Sequence, residues 1–172
     1  MSDETQTEEH QDSSETVPGY EPEILDPGPS GTFEVVDSDK PPLGGLPLLQ
    51  AIADAAWERK AYDLEALRVN DLVGYTDYFI VCSARSDRQV NAISNSIERS
   101  LRKLHRTKAN GVEGRDSGNW VCMDYVDVVV HILYQPVREY YELEKLWSDA
   151  ERVELVEPDW LQHEAANKWD WE

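Results

Sequence analysis

The chain has 172 residues, which suits a single folded domain with additional segments. Its formal net charge is -19, from 35 acidic and 16 basic side chains, and no apolar run approaches membrane-spanning length. This composition excludes a membrane-spanning protein and a protein with an overall basic surplus for binding nucleic-acid phosphates. The acidic N-terminus does not resemble a signal or transit peptide, so we expect a cytoplasmic protein.

The negative charge lies mainly at the two ends of the chain. Residues 1–46 contain 12 acidic side chains and one basic one, and residues 149–172 contain 8 acidic and 2 basic ones. The residues between them carry 15 acidic and 13 basic side chains, a net charge of only -2. We predict a disordered acidic tail over 1–46, an α/β domain over 47–150 and an acidic, tryptophan-containing tail over 151–172.

The first half of the domain is predicted to form a helix followed by two strands. Proline is tolerated at the first helical position, and apolar residues recur at helical spacing from Pro47 to about Lys60. Imperfect alternation predicts a strand over 64–69, and an aromatic and β-branched run predicts a buried strand over 77–82.

A second helix is predicted to begin at a capping box formed by Ser86 and Gln89. Its apolar stripe contains Val90, Ile93, Ile97, Leu101 and Leu104. The basic side chains fall mostly outside that stripe, and they are Arg88, Arg99, Arg102, Lys103 and Arg106. We expect this basic face to be solvated, with contact to RNA as the open alternative.

The next predicted elements are a weak strand over 109–113 and two strands joined by a tight turn. Alternation from Trp120 places every second residue on one face, and the run 128–134 is apolar enough for a central strand covered on both faces. A two-residue loop at Tyr125 and Val126 would place Trp120 opposite His131 and Asp124 opposite Asp127. Because a β-branched residue resists the positive φ of such a turn, a longer turn is the alternative.

Pro136 is predicted to open a third helix that continues to Trp147. One broad arc of this helix contains the apolar and aromatic side chains Val137, Tyr140, Tyr141, Leu143 and Trp147. Glu144 falls in the middle of the arc, and a buried carboxylate needs a partner. We predict a structural pair between Glu144 and His131, with an arginine as the alternative partner of Glu144.

The residues do not favour catalysis or a metal cofactor. Cys82 and Cys122 lie in strand-like runs without the spacing of a zinc site, so we predict buried reduced thiols. Carboxylates at predicted strand ends keep open a metal-dependent enzyme of phosphoryl transfer, and they are Asp77, Glu113, Asp124 and Asp127. The paired acids and the Gly-Ser loop that such enzymes need are absent from the sequence. We therefore predict no catalytic residue and no cofactor.

Several blocks of sequence carry a family resemblance. They are Asp77–Ser83, Ser86–Val90, Gly118–Asp124, Asp127–His131, Arg138 and Tyr141–Trp147. In this order, across about Leu48 to Ala150, they resemble the signature of the Iojap-related ribosomal silencing factor family, RsfS. The resemblance implies an α/β fold with a mixed sheet of about five strands and helices packed on it, in a nucleotidyltransferase-like αβα architecture flanked by acidic tails.

The resemblance also implies a function. Members of this family are expected to bind the large ribosomal subunit through large-subunit ribosomal protein fourteen, block subunit joining and repress translation under nutrient limitation. Because the domain has no basic surplus, we expect little direct contact with RNA; a homodimer is left open. Two alternatives in other functional classes are a metal-dependent nucleotidyltransferase-like enzyme, which the resemblance in fold suggests, and an acidic adaptor that acts through its tails.

Trp120 is the predicted anchor of the partner-binding surface, because large aromatic side chains dominate the energetics of interfaces. The predicted rim around it consists of Met123, Asp124, Tyr125 and Asp127. Val126 stands where the family usually has glycine, and Ala84 stands where glycine is common.

Overall fold

The computed structural model of the protein describes residues 41–161, which contain four helices and six strands. In chain order these elements are α1 (Gly45–Trp57), β1 (Tyr62–Arg68), β2 (Tyr78–Ala84), α2 (Asp87–His105), β3 (Gly111–Glu113), β4 (Trp120–Asp124), β5 (Val128–Tyr134), α3 (Gln135–Tyr141), α4 (Leu143–Leu146) and β6 (Glu151–Val153). Within residues 41–161, no helix is both long enough and apolar enough to cross a membrane.

The strands form one mixed sheet in the order β3-β4-β5-β2-β1-β6. Strands β2 and β5 are parallel, and the other neighbouring pairs are antiparallel. The predicted α/β class and the mixed sheet with packed helices are therefore confirmed. The predicted central position of β5 is confirmed too, because β5 lies between β4 and β2 and its apolar run is covered on both faces.

The sheet has six strands where the sequence predicted about five. The additional strand, β6, pairs with β1 and lies within the segment predicted as the C-terminal tail, 151–172. A strand of three residues is too short to show a readable alternation, so the sequence carries no signal for it. The structural predictions for residues 1–40 and 162–172 lie outside the described residues.

Helices α1 and α2 cover one face of the sheet and enclose the main core. The apolar stripe of α2 is buried as predicted at Val90, Ile93, Ile97 and Leu101, each with 0% of its surface exposed, whereas Leu104 is 57% exposed. Leu104 lies in the last turn of the helix. The strands contribute the other side of this core through every second residue, as the pleat requires.

The start of α1 is capped by a side chain from the turn between β4 and β5. The backbone N–H of Gly45 donates to Oδ2 of Asp127 over 3.0 Å. This bond satisfies one of the amide groups that have no partner within the helix, and it places the negative charge at the positive end of the helix dipole.

The predicted capping box at the start of α2 is present in a modified form. Ser86 Oγ accepts from the backbone N–H of Gln89 over 3.1 Å, as predicted. The side chain of Gln89 reaches one residue further back than expected, and its Oε1 accepts from the N–H of Arg85 over 2.8 Å. Its Nε2 donates to the carbonyl groups of Arg59 and Lys60. Gln89 therefore ties the end of α1 to the start of α2.

The opposite face of the sheet is covered by the segment that follows β5, and this segment is not the single helix that the sequence predicts. Glu142 has a φ of +46° and separates α3 from α4. The break turns Leu143 toward the sheet, whereas Tyr140 is 80% exposed and Tyr141 is 51% exposed. The prediction of one helix with a single buried arc is therefore wrong. The left-handed residue Glu142 interrupts the helix, so side chains before and after it no longer follow the same 100° rotation per residue.

Candidate functional site

The antiparallel pair β4–β5 positions the predicted anchor, Trp120. Its observed register pairs Trp120 with Leu133, Cys122 with His131 and Asp124 with Val129. The predicted register is thus wrong by two residues. A shift of two keeps every side chain on its predicted face, so Trp120 and His131 still share a surface.

The shift arises because the turn is centred one residue later than predicted, on Val126 and Asp127. The N–H of Tyr125 donates to the carbonyl group of Val128 over 2.9 Å, and the N–H of Asp127 donates to the carbonyl group of Tyr125 over 3.0 Å. Between them Val126 has a φ of +73°, which together with the second bond describes a γ-turn of the strained form. Oδ1 of Asp124 accepts from the N–H of Val126 over 2.8 Å and holds the turn.

Trp120 and His131 are joined by a side-chain hydrogen bond. The indole Nε1–H of Trp120 donates to Nδ1 of His131 over 3.2 Å. Since Nδ1 must accept this bond, the neutral imidazole carries its proton on Nε2. Burial lowers the pKa of His131 to about 4, so the ring is uncharged at neutral pH.

An aromatic surface surrounds this pair, and we call it the tryptophan face. It consists of Trp120, Cys122, His131, Tyr140 and Tyr141. The ring of Trp120 lies 5.2 Å from the ring of Tyr141, measured between centroids, and the ring of Tyr141 lies 5.1 Å from that of Tyr140. The two tyrosines are exposed, and the other three side chains are half-buried. The tryptophan face is therefore a continuous, accessible aromatic surface.

Further aromatic side chains support the tryptophan face from within the sheet. The ring of Phe79 packs in an edge-to-face arrangement with the rings of His131 and Trp147. The distance between ring centroids is 5.3 Å in both pairs. Such edge-to-face pairs contribute about 0.5–1.5 kcal/mol each beyond the area that they bury. This packing fixes His131, and through it the indole of Trp120.

Two of the predicted rim residues are not on the surface. Met123 is 0% exposed and Tyr125 is 5% exposed, because alternation along β4 points both toward α1 and α2. Neither side chain can contact a partner directly, so their predicted role in binding is wrong. Burial also raises the pKa of the Tyr125 hydroxyl.

The other two predicted rim residues, Asp124 and Asp127, are half-buried. The carboxylate of Asp124 accepts from a backbone N–H of the turn, and that of Asp127 accepts from the first backbone N–H of α1. Their contact with a partner stays a prediction.

The predicted pair between Glu144 and His131 is wrong, and the arginine alternative is correct. Arg138 Nε donates to Oε1 of Glu144 over 2.5 Å. Arg138 is only 8% exposed, and its Nη1 also donates to Ser83 Oγ and to the carbonyl group of Asp63. His131 is occupied by Trp120 instead. Arg138 thus holds the α3–α4 segment, which carries Tyr140 and Tyr141, against the sheet.

The site residues that sequence reasoning missed are Cys122, Tyr140 and Tyr141. The alternation of side chains along the strand predicts that Cys122 lies on the same face as Trp120, so its place at the site could have been predicted from the sequence. The two tyrosines were assigned to a buried arc, and nothing in the sequence around Glu142 indicates the change of helical phase.

The cysteines are protonated thiols. Cys82 is buried as predicted, and burial raises its pKa to about 12. Cys122 is half-buried and therefore more accessible than predicted; burial, with Glu113 and Asp124 nearby, raises its pKa to about 11. Among residues 41–161, no group of three or more His, Cys, Asp or Glu side chains is placed to hold a metal ion.

Comparisons with known proteins agree with this architecture. A protein named ribosomal silencing factor RsfS from Halalkalibacterium halodurans is 36% identical over 108 residues, which cover 63% of this chain and 92% of that protein. The mouse protein named mitochondrial assembly of ribosomal large subunit protein 1 is 32% identical over 93 residues, covering 53% of this chain and 41% of the relative.

A crystal structure of a protein from Chromobacterium violaceum has a TM-score of 0.57 and 32% sequence identity to this chain, and the match covers 66% of this chain and 88% of that one. The family described as "Ribosomal silencing factor during starvation" matches residues 45–171, which include every element of the sheet and the whole tryptophan face. The chain therefore belongs to the RsfS family of ribosomal silencing factors.

Proposed function

We propose that this chain binds the large ribosomal subunit through the tryptophan face and prevents the small subunit from joining. The protein that it contacts is large-subunit ribosomal protein fourteen, and the result is lower translation under nutrient limitation. The chain acts in the cytoplasm, by occupying space and without catalysis.

The observation that carries the proposal is the accessible aromatic surface around Trp120. Aromatic side chains are enriched among the residues that contribute most to protein interfaces, because they bury a large area and lose few rotamers. Tyr140 and Tyr141 add the most exposed part of this surface. Trp120 is held in place by His131, so little conformational freedom is lost when a partner covers it.

The names of the relatives support the ribosome as the partner. One relative is named a ribosomal silencing factor, and the mouse relative is named for assembly of the ribosomal large subunit. Silencing by occlusion needs only a surface that competes for a contact between the subunits. Such competition follows mass action: each bound molecule removes one large subunit from the pool that can join.

Sedimentation through sucrose gradients tests this function. The full chain is mixed with purified large subunits, small subunits are added, and both the position of the chain and the amount of whole ribosomes are measured. We expect the chain to migrate with the large subunit and the whole-ribosome peak to shrink as its concentration rises. Migration with the small subunit, or binding without loss of whole ribosomes, contradicts the proposal.

Matched variants locate the binding surface. Tyr140→Ala removes a side chain that is 80% exposed, and it should weaken binding at least tenfold with an unchanged melting temperature. Trp120→Ala should weaken binding further. Trp160→Ala is the control, because Trp160 is 43% exposed beside Gln50 of α1, on the other side of the sheet. Equal binding by Tyr140→Ala and Trp160→Ala would show that the tryptophan face is not the contact.

A further inference from the structure

Helix α2 carries a line of positive charge on its solvent side, and we call this line the α2 strip. It consists of Arg88, Arg99, Arg102 and Lys103 of the helix and of Arg106, which caps its C-terminus, all of them exposed. At about 100° per residue the four helical positions fall within an arc of roughly 100°, opposite the fully buried stripe of the same helix. From first to last residue the strip is about 27 Å long.

The acidic residues of α2 neutralise only part of the strip. The helix contains two, Asp87 and Glu98, which lie roughly 40–60° beyond the edge of the strip at Arg102, and Glu98 pairs with Arg102 itself. Glu98 is bound on both oxygens, by Arg102 and by Arg115, each over 2.6 Å. Within the part of the chain that the structure describes, Arg88, Arg99 and Lys103 make no ion pair.

A groove runs beside the strip and adds a further cation together with neutral donors. Arg59, which follows the C-terminus of α1, lines the groove together with Arg99 and Lys103. The polar residues Asn95, Ser96 and Ser100 line it as well. One acidic residue, Glu58, also lines the groove. The groove therefore combines three cations with short hydrogen-bonding side chains.

We propose that the α2 strip and this groove bind the phosphate backbone of RNA. Arginine donates two parallel hydrogen bonds to a phosphate group, and lysine adds a point charge. Serine and asparagine side chains also commonly donate to phosphate oxygens, and such contacts position a protein without reading sequence. The choice of RNA as the source of the phosphates rests on the proposed function, whereas the phosphate contact itself does not.

The composition of the strip disfavours a membrane surface. A helix that lies in a lipid headgroup layer inserts large apolar side chains beside its basic residues. Between the cations, the exposed arc of α2 contains Ala92 and Asn95. Among the large apolar residues of the helix only Leu104 is exposed, and it lines the groove, whereas those at positions 90, 93, 97 and 101 point into the core. One apolar side chain offers less area than a helix inserted among lipid headgroups buries.

The strip and the tryptophan face are independent surfaces, because α2 and α3 lie on opposite faces of the sheet. A substitution in one should leave the other intact. The near-neutral charge of the domain as a whole favours little RNA contact, and the proposal takes up the alternative that the separate basic face of α2 leaves open.

The test measures binding of the full chain to a fluorescently labelled single-stranded RNA by anisotropy, over a series of salt concentrations. Each phosphate contact contributes about -0.7 to the slope of log K against log salt for single-stranded nucleic acid. The double variant Arg99→Ala with Lys103→Ala should therefore reduce the magnitude of the slope by about 1.4 and weaken binding at low salt.

The matched control is Lys145→Ala with Arg152→Ala, which removes two exposed cations elsewhere and changes the net charge equally. It should leave the slope unchanged. Equal slopes for the two double variants, no RNA binding by the full chain, or tighter binding to polyglutamate or to phosphatidylserine vesicles than to RNA would each overturn the proposal. Trp120→Ala separates the two functions: it should reduce binding to the large subunit and leave the RNA slope unchanged.

Discussion

The indole N–H of Trp120 and the imidazole of His131 form a hydrogen bond between adjacent strands, and this bond determines which nitrogen of His131 carries the proton. The bond needs a neutral ring, because a doubly protonated imidazole has no acceptor to offer. Protonation of His131 would therefore disrupt the centre of the tryptophan face as well as placing a charge in a largely buried site.

The first prediction concerns the pH dependence of stability. The pKa of His131 is lowered by burial to about 4 in the folded protein, below the ordinary histidine value of 6.5. Between these values the unfolded chain binds more protons, so the free energy of unfolding falls as the pH falls from 6.5 toward 4. At pH 5.5 this one group should account for about 1 kcal/mol of lost stability relative to pH 7.5.

The measurement is urea unfolding of the wild type and His131→Gln at the two pH values. Glutamine keeps an acceptor for the indole N–H but does not titrate, so the variant should lose about 1 kcal/mol less than the wild type on acidification. Other titrating groups cancel in this comparison. An identical loss in both proteins would mean that His131 does not set the acid sensitivity.

The second prediction concerns the charge pair that holds α3 and α4 on the sheet. Glu144→Gln removes the charge that faces the buried guanidinium group of Arg138 and leaves Glu65, 3.7 Å away, as a weaker counter-charge. We expect a destabilisation of about 1–3 kcal/mol, the range for loss of a charged hydrogen bond in a partly buried site. Thermal unfolding measures it.

Glu142→Gln is the control for this prediction, because it neutralises a neighbouring carboxylate whose partner, Lys145, is exposed. Exposed ion pairs contribute about 0–1 kcal/mol, so the control should be nearly neutral. If both variants lose the same stability, then Arg138 does not depend on Glu144. A further consequence is that Glu144→Gln should weaken subunit binding more than Glu142→Gln, since the pair positions Tyr140 and Tyr141.

The strongly patterned elements could be predicted from the sequence. The stripe of α2, the cap at Ser86 and the apolar run of β5 each follow from local physical chemistry, because burial and spacing coincide there. The face of Trp120 could be predicted for the same reason, since alternation is insensitive to an error of two residues in register.

What could not be predicted depends on single backbone angles and on contacts between distant residues. The positive φ values of Val126 and Glu142 set the shape of the turn and the break between α3 and α4, and neither residue type favours that conformation. The partner of Glu144 required knowledge of which cation the fold brings close. Distances across the sheet decide that, and spacing along the chain does not.

The third prediction concerns the contact between α1 and the β4–β5 turn. A Cβ atom added at Gly44 would lie 2.5 Å from Oδ2 of Asp127, so Gly44→Ala must displace the carboxylate that caps α1. Loss of a cap usually destabilises a protein by about 1 kcal/mol. Gly74→Ala is the control, because a Cβ atom there meets nothing within 4 Å. Equal melting temperatures for the two variants would contradict the capping role of Asp127.

The fourth prediction concerns the strained turn itself. Val126 has a φ of +73° and is 57% exposed, so Val126→Gly relieves the strain while removing few buried contacts. A residue held in a sparsely populated region of φ and ψ raises the free energy of the folded state by about 1–3 kcal/mol. Glycine removes this strain, but it also increases the entropy of the unfolded chain, which costs about 1 kcal/mol of stability. We expect Val126→Gly to stabilise the protein by up to about 1 kcal/mol in urea unfolding.

Val156→Gly is the matched control, since Val156 is 72% exposed and its φ is not positive. That variant should lose stability, because glycine increases the entropy of the unfolded chain without relieving strain. The opposite signs of the two effects test the turn geometry directly. A loss of stability in Val126→Gly equal to that in Val156→Gly would mean that the γ-turn at Val126 is not strained.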